Sequence, residues 1–165
     1  MKKTFLIILA TVLFSCKPCE KQLQSEEQIV NSVLDNWHKA AAAANFENYF
    51  NLMTDDAIFI GTDATENWNK TAFQAYAKPH FDKGKAWSFI AIERNVFFST
   101  NGKTAWFDEL LNTQMKICRG SGVLVKENGK WKIKHYVLSM TVPNDVSKEV
   151  IQMKSEIENK ILNKN

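Results

Sequence analysis

The apolar positions along the chain change period partway through. From residue 25 to 45 they fall at helical spacing. Ile29, Val33, Trp37, Ala40, Ala41 and Ala44 line one face of a 3.6-residue helix. The string Ser25-Glu26-Glu27-Gln28 before them has the form of a capping box, and Asn45 is a plausible stop. A second short helix carries Phe46, Tyr49, Phe50, Leu52 and Met53. Asp55-Asp56 reads as a turn and residues 57–60 as a short strand. Asn69 caps a third helix bearing Phe73, Tyr76 and Ala77, which Pro79 should end or kink near Ala77 or Lys78.

From Ala86 onward the pattern is that of strands. Asn101-Gly102 and Asn128-Gly129 each favour a two-residue turn with positive φ, so each predicts a hairpin. The first joins residues 87–99 to 104–111. A further strand starts near Gln114 and runs into the second hairpin. Two-residue turns fix the register: Asn95 opposite Asp108, Phe97 opposite Trp106, Lys126 opposite Trp131, Leu124 opposite Ile133 and Gly122 opposite His135. Strict alternation then puts Trp131, Ile133, His135 and Val137 on one face, taken as the inner one, because Lys130, Lys132 and Lys134 occupy the other. Gly120 and Gly122 can bend the sheet or leave room above it. After Pro143 a helical stripe returns with Val146, Val150, Met153, Ile157 and Ile161, suited to docking on its own domain or pairing with a second copy. Helices grouped before hairpin-joined strands predict an α+β fold, with helices covering one face of an antiparallel sheet.

The first residues break this pattern. A basic start at Lys2-Lys3 is followed by an apolar run from Phe5 to Phe14 that is too short to span a bilayer. It ends in Leu13-Phe14-Ser15-Cys16, which resembles the lipobox of bacterial lipoproteins. That resemblance implies a signal peptide over residues 1–15, cleavage before Cys16, and acyl chains on Cys16 that hold the protein in the cell envelope, facing the periplasm or the exterior. Residues 16–24 then read as a tether.

Composition adds limits. The chain has 165 residues, 45% of them hydrophobic, which suits one domain with a real core. Its formal charge of +3 includes Lys2 and Lys3, and the remaining lysines are scattered, so nucleic acid is not an expected partner. No Cys/His spacing resembles a metal site, and no metal or cofactor is expected. Cys118, in a strand, reads as a small buried apolar residue.

Several strings, in order, resemble the SnoaL-like branch of the nuclear-transport-factor-2-like superfamily. Phe59-Ile60-Gly61-Thr62-Asp63 with Glu66 and Trp68 is similar to its segment F-x-G-T-D-x-x-E-x-W. Thr104-Ala105-Trp106-Phe107 is similar to a T-A-W strand opening, and Gly129-Lys130-Trp131-Lys132-Ile133 with His135 to a closing G-x-W-x-I-x-H strand. Many members carry a second histidine where this chain has Tyr136. The resemblance covers residues 26–142, so the domain is placed at 25–142 and the terminal amphipathic helix at 143–165. It implies a cone: a strongly curved sheet wrapped on helices, with a pocket at the wide end, and dimers through the outer sheet face.

Three functions follow as expectations. The first is a lipid-anchored protein whose pocket binds a small, largely apolar molecule through Trp37, Phe59, Trp68, Trp106 and Tyr136. The second is an isomerase- or dehydratase-type enzyme with His135 as general base, assisted by Asp108, Arg119 or Tyr136. The third is a homodimeric interaction module. His38 and His80 are expected at the surface. Asp63 and Glu66 are expected to serve the local turn.

Overall fold

The computed structural model describes residues 17–163, with side chains from residue 23. The expected signal peptide and Cys16 lie outside the described residues. Helix α1 spans Lys17–Ala42 and α2 Phe46–Asn51. Strand β1 (Met53–Ile60) and the three-residue β2 (Asn67–Asn69) lead to α3 (Lys70–Asp82). Strands β3 (Phe89–Phe98), β4 (Thr104–Thr113), β5 (Lys116–Glu127) and β6 (Lys130–Met140) follow, and α4 (Ser147–Leu162) ends the described chain. The six strands form one sheet in the order β2-β1-β6-β5-β4-β3, antiparallel except where β1 runs parallel to β6.

Helix α1 begins before the predicted box, at Lys17, because Pro18 falls in the first turn, where a missing backbone N–H costs nothing. Its buried stripe is Val30, Leu34, Trp37 and Ala41. That stripe is turned by one residue from the predicted one, leaving Ile29 exposed. The turn matters because His38 now lies on the inward side, only 4% exposed, rather than at the surface. Glu26 pins the helix to the sheet, accepting from Lys126 Nζ and Trp131 Nε1, both at 2.7 Å. Asn45 does not close α1. Ala44 takes the left-handed position at φ 49°, and Asn45 caps α2 through Asn48 N–H.

Asn69 caps α3 as predicted, accepting from Ala72 N–H at 2.9 Å. Pro79, however, sits inside α3, which continues to Asp82. Phe81 pays for that last turn: it is 3% exposed and packs against Phe46, Tyr49 and Trp87, and burial of a whole ring outweighs one lost backbone bond. Strand β1 is longer than expected. It starts at Met53 opposite Ile133, with Asp55 and Asp56 in an irregular stretch before pairing resumes at Ile58.

The hairpin registers match prediction at Asn95–Asp108, Phe97–Trp106, Lys126–Trp131 and Leu124–Ile133. Beyond Ile133 they do not. A bulge leaves Lys134 unpaired, so His135 faces Val123 and Tyr136 faces Gly122. One extra residue reverses the alternation. Trp131 and Ile133 point inward before the bulge, Tyr136 and Leu138 after it, and His135 and Val137 are turned outward, half-buried.

The core lies between the inner sheet face and α1–α3 and is dominated by aromatic rings. The outer face keeps Ile90, Ile92, Phe97, Trp106 and Ile117 exposed. Helix α4 buries none of its residues, so its stripe is not docked on the domain as a terminal helix would be.

Candidate functional site

Strand β4 carries an alternation of its own: Ala105, Phe107, Glu109, Leu111 and Thr113 all point inward. Glu109 is thus a carboxylate in a file of core residues, 1% exposed. An isolated buried carboxylate would cost many kcal/mol, and its surroundings show how the cost is met. Oε2 accepts from Arg94 Nε on the paired residue of β3, at 2.8 Å. Oε1 lies 2.9 Å from His38 Nε2 and 3.1 Å from the Tyr136 hydroxyl. Arg94 Nη1 reaches on to Asp35 Oδ1 at 2.8 Å and to Asn31 on α1.

Burial pushes the Glu109 carboxyl up, but the hydrogen bond and charge of His38, together with Arg94, more than offset it. Its pKa lies below the ordinary 4.5. Burial, then the neighbouring Glu109 charge, holds the Tyr136 phenol well above its usual value, so its hydroxyl donates to Glu109. An ionised carboxylate can only accept, so His38 presents a proton at Nε2. Its Nδ1 is buried and has no hydrogen-bond partner among the described residues. Gly120 makes room for the arrangement: a Cβ there would lie 2.3 Å from the Tyr136 hydroxyl and 2.9 Å from Glu109 Oε1.

Next to this network is a cleft of about 150 Å³ walled by six rings, those of Phe59, Trp68, Phe73, Tyr76, Trp87 and Phe89. The rings stack in series: Phe59 on Phe73 at 4.0 Å, Trp68 on Phe73 at 5.6 Å and Trp68 on Tyr76 at 4.5 Å. Phe59 and Phe89 line the cleft and also touch the network: Phe59 stacks on Tyr136 at 5.5 Å and Phe89 meets the His38 ring edge-on at 5.7 Å. The network therefore lies one ring behind the cleft. A larger, opener groove of about 470 Å³ between α1 and α2 is lined mainly by asparagines, Lys39 and alanines, and has no aromatic wall.

The predicted site residues divide between these places. Phe59 and Trp68 line the cleft, and Tyr136 joins the buried network. Trp37 is wholly buried, stacked on Tyr49 at 4.8 Å and edge-on to Tyr136. Trp106 is on the outer face, 46% exposed and stacked on Phe97. The expected catalytic group is not assembled on the inner face. His135, Asp108 and Arg119 all point outward, and no hydrogen bond joins any two of them. Asp108 accepts from Asn95 Nδ2 at 3.1 Å. The cause for His135 is the bulge at Lys134. For Asp108 and Arg119 it is the parity of Ala105–Phe107 and Cys118–Gly120, which claim the inner face.

His38 and Glu109 were missed. The signals were present: Val30, Leu34, Trp37 and Ala41 form a helical stripe that encloses His38, and Ala105, Phe107 and Leu111 alternate in phase with Glu109. Among the described residues, no three His, Cys, Asp or Glu side chains converge as a metal centre would require.

With the fold and the cleft described, the comparisons define the class. The sequence model of the SnoaL-like domain matches residues 30–143, and the chain belongs to the SnoaL-like family. Among solved structures it is similar to an NTF2-like protein of unknown function from Pseudomonas putida KT2440, with a TM-score of 0.62 at 14% identity over 75% of this chain and 92% of that one. It is also similar to a putative dehydratase of the NTF2-like family from Streptomyces avermitilis (TM-score 0.63, 12% identity, 73% and 99% covered). A third is a putative scytalone dehydratase from Novosphingobium aromaticivorans DSM 12444 (TM-score 0.63, 12% identity, 74% and 89% covered). At these identities the likeness establishes the fold alone. A search of curated proteins finds no match.

The depressed Glu109 pKa has a consequence for stability. A carboxyl whose folded value is below its unfolded one contributes stability that is present above the unfolded value and lost as pH falls through the folded one. Urea titrations should therefore show Glu109→Gln less stable than the parent by about 3 kcal/mol near neutrality, since Arg94 loses its buried counter-ion. The gap should narrow as the pH is lowered through the carboxylate range. A gap that is constant or widens toward acid contradicts this assignment.

Proposed function

We propose that this protein is a lipid-anchored binder of a small, flat, largely apolar molecule, held between the rings of the cleft at the mouth of the cone. The observation that carries the reading is the cleft itself: six aromatic rings around a space the size of one small ring system, with Thr62, Glu66 and Gln114 as the polar side chains among its lining. Binding is favoured over turnover by position. His135, Asp108 and Arg119 face away from the cleft, and the His38–Glu109 pair is separated from it by Phe59 and Phe89. The network's role is then to hold those rings in place from behind.

The anchor is part of the same proposal. It rests on the string Leu13-Phe14-Ser15-Cys16 after a short apolar run, and places the domain at the envelope of a bacterial cell.

Two measurements test these points. Indole, followed by titration calorimetry and by thermal shift, should bind saturably. Met115→Trp, which fills the cleft from the β4–β5 turn without touching the buried network, should weaken that binding at least about tenfold, a loss of about 1.4 kcal/mol. Saturable binding that Met115→Trp leaves unchanged would place the ligand elsewhere. For the anchor, metabolic labelling with a radiolabelled fatty acid in a bacterial host should mark the full chain and not Cys16→Ser. Equal labelling of both rules the anchor out.

A further inference from the structure

One side chain at the cleft carries charge. Glu66 lies in the turn between β1 and β2 and is the only formally charged residue lining the cleft. It forms no ion pair among the described residues, although the chain as a whole carries more basic than acidic groups. Its side chain makes one hydrogen bond among the described residues, accepting at Oε2 from the backbone N–H of Asp63 at 3.2 Å, and Oε1 has no partner among them. The carboxylate is held over the rim by a close approach. A Cβ on Gly61 would lie 2.1 Å from Oε2, so only glycine at that position lets Glu66 fold back across the mouth. Supplying a side-chain acceptor for the Asp63 N–H would not require a charge there, since glutamine would serve.

A free carboxylate beside stacked indole and phenol faces is an environment that attracts a cation. Ring faces carry negative quadrupole potential, and a weakly hydrated ammonium gains from them without giving up strong hydration. Trp68, Tyr76 and Trp87 line the same cleft as Glu66, and Trp68 and Tyr76 stack on each other at 4.5 Å. No lysine or arginine lines the cleft to satisfy Glu66 from within the chain. We propose that the ligand carries an organic ammonium group, which sits between Glu66 and the face of Trp68 turned away from Tyr76, while its apolar part enters the ring-walled cleft. This rests on the binding reading above and specifies the charge of what is bound.

The test uses two molecules of one shape. Choline and 3,3-dimethylbutan-1-ol differ only in the exchange of a quaternary nitrogen for carbon. Titration calorimetry on the intact domain should find choline at least tenfold tighter than the alcohol. Glu66→Gln, which keeps the acceptor for Asp63, should weaken choline severalfold and leave the alcohol unchanged. If the two molecules bind equally to the parent, or if Glu66→Gln leaves choline untouched, the cation assignment is overturned. In that event saturable indole binding sensitive to Met115→Trp preserves the apolar cleft. If choline, the alcohol and indole all fail to bind, both readings are overturned together.

Discussion

A carboxylate in the core has to be compensated, and in this fold the compensation decides which elements meet. Glu109 draws Arg94 from the neighbouring strand, Tyr136 from β6 and His38 from α1 into contact with two oxygens. Arg94 then extends the same connection to Asp35 and Asn31 one and two turns earlier on α1. Removing any member leaves a buried charge or polar atom without its partner, so the group acts together. The helix is therefore fixed against the sheet at two separated points: this cluster, and the Glu26 contacts with Lys126 and Trp131 beside the turn of the second hairpin.

The position of the network bears on function because Tyr136 and His38 form the back of the wall whose front is the cleft. Phe59 is sandwiched between Phe73 and Tyr136, and Phe89 is set against His38. Aromatic rings keep their geometry when they are packed on both faces, and a cleft so walled is formed without a ligand in it. Polar chemistry is kept out of the space and confined to its rim, where Glu66, Thr62 and Gln114 stand. That division fits recognition of an apolar body with one polar or charged end.

Much of this was legible in the sequence, and the failures share a cause. Local signals held wherever a short string determines geometry: Asn128-Gly129 forms the expected turn with positive φ at both residues, the first hairpin keeps its register although only Gly102 of its Asn-Gly pair has positive φ, and Asn69 capped its helix. The family strings gave the cone. What failed was phase. A single bulge at Lys134 reverses the strand beyond it, and no residue type there announces it, so His135 exchanged places with Tyr136. On α1 two overlapping stripes, one through Ile29 and Val33 and one through Val30 and Leu34, are equally apolar. Only the partner surface selects the second, and with it His38. Pro79 inside α3 is a further case in which packing of a distant ring overrides a local rule. The candidate site was thus half legible: its aromatic wall could be read from composition and resemblance, while its buried ion network needed the phase of two elements at once.

The central claim, that Glu109 couples α1 to the sheet through Arg94, is tested most directly by a double-mutant cycle. Urea unfolding of the parent, Arg94→Met, Glu109→Gln and the double variant isolates the interaction between the two side chains. A favourable coupling of about 2 kcal/mol or more at neutral pH is the result expected for a buried, hydrogen-bonded pair. Additive single effects, with a coupling under about 0.5 kcal/mol, would contradict the account.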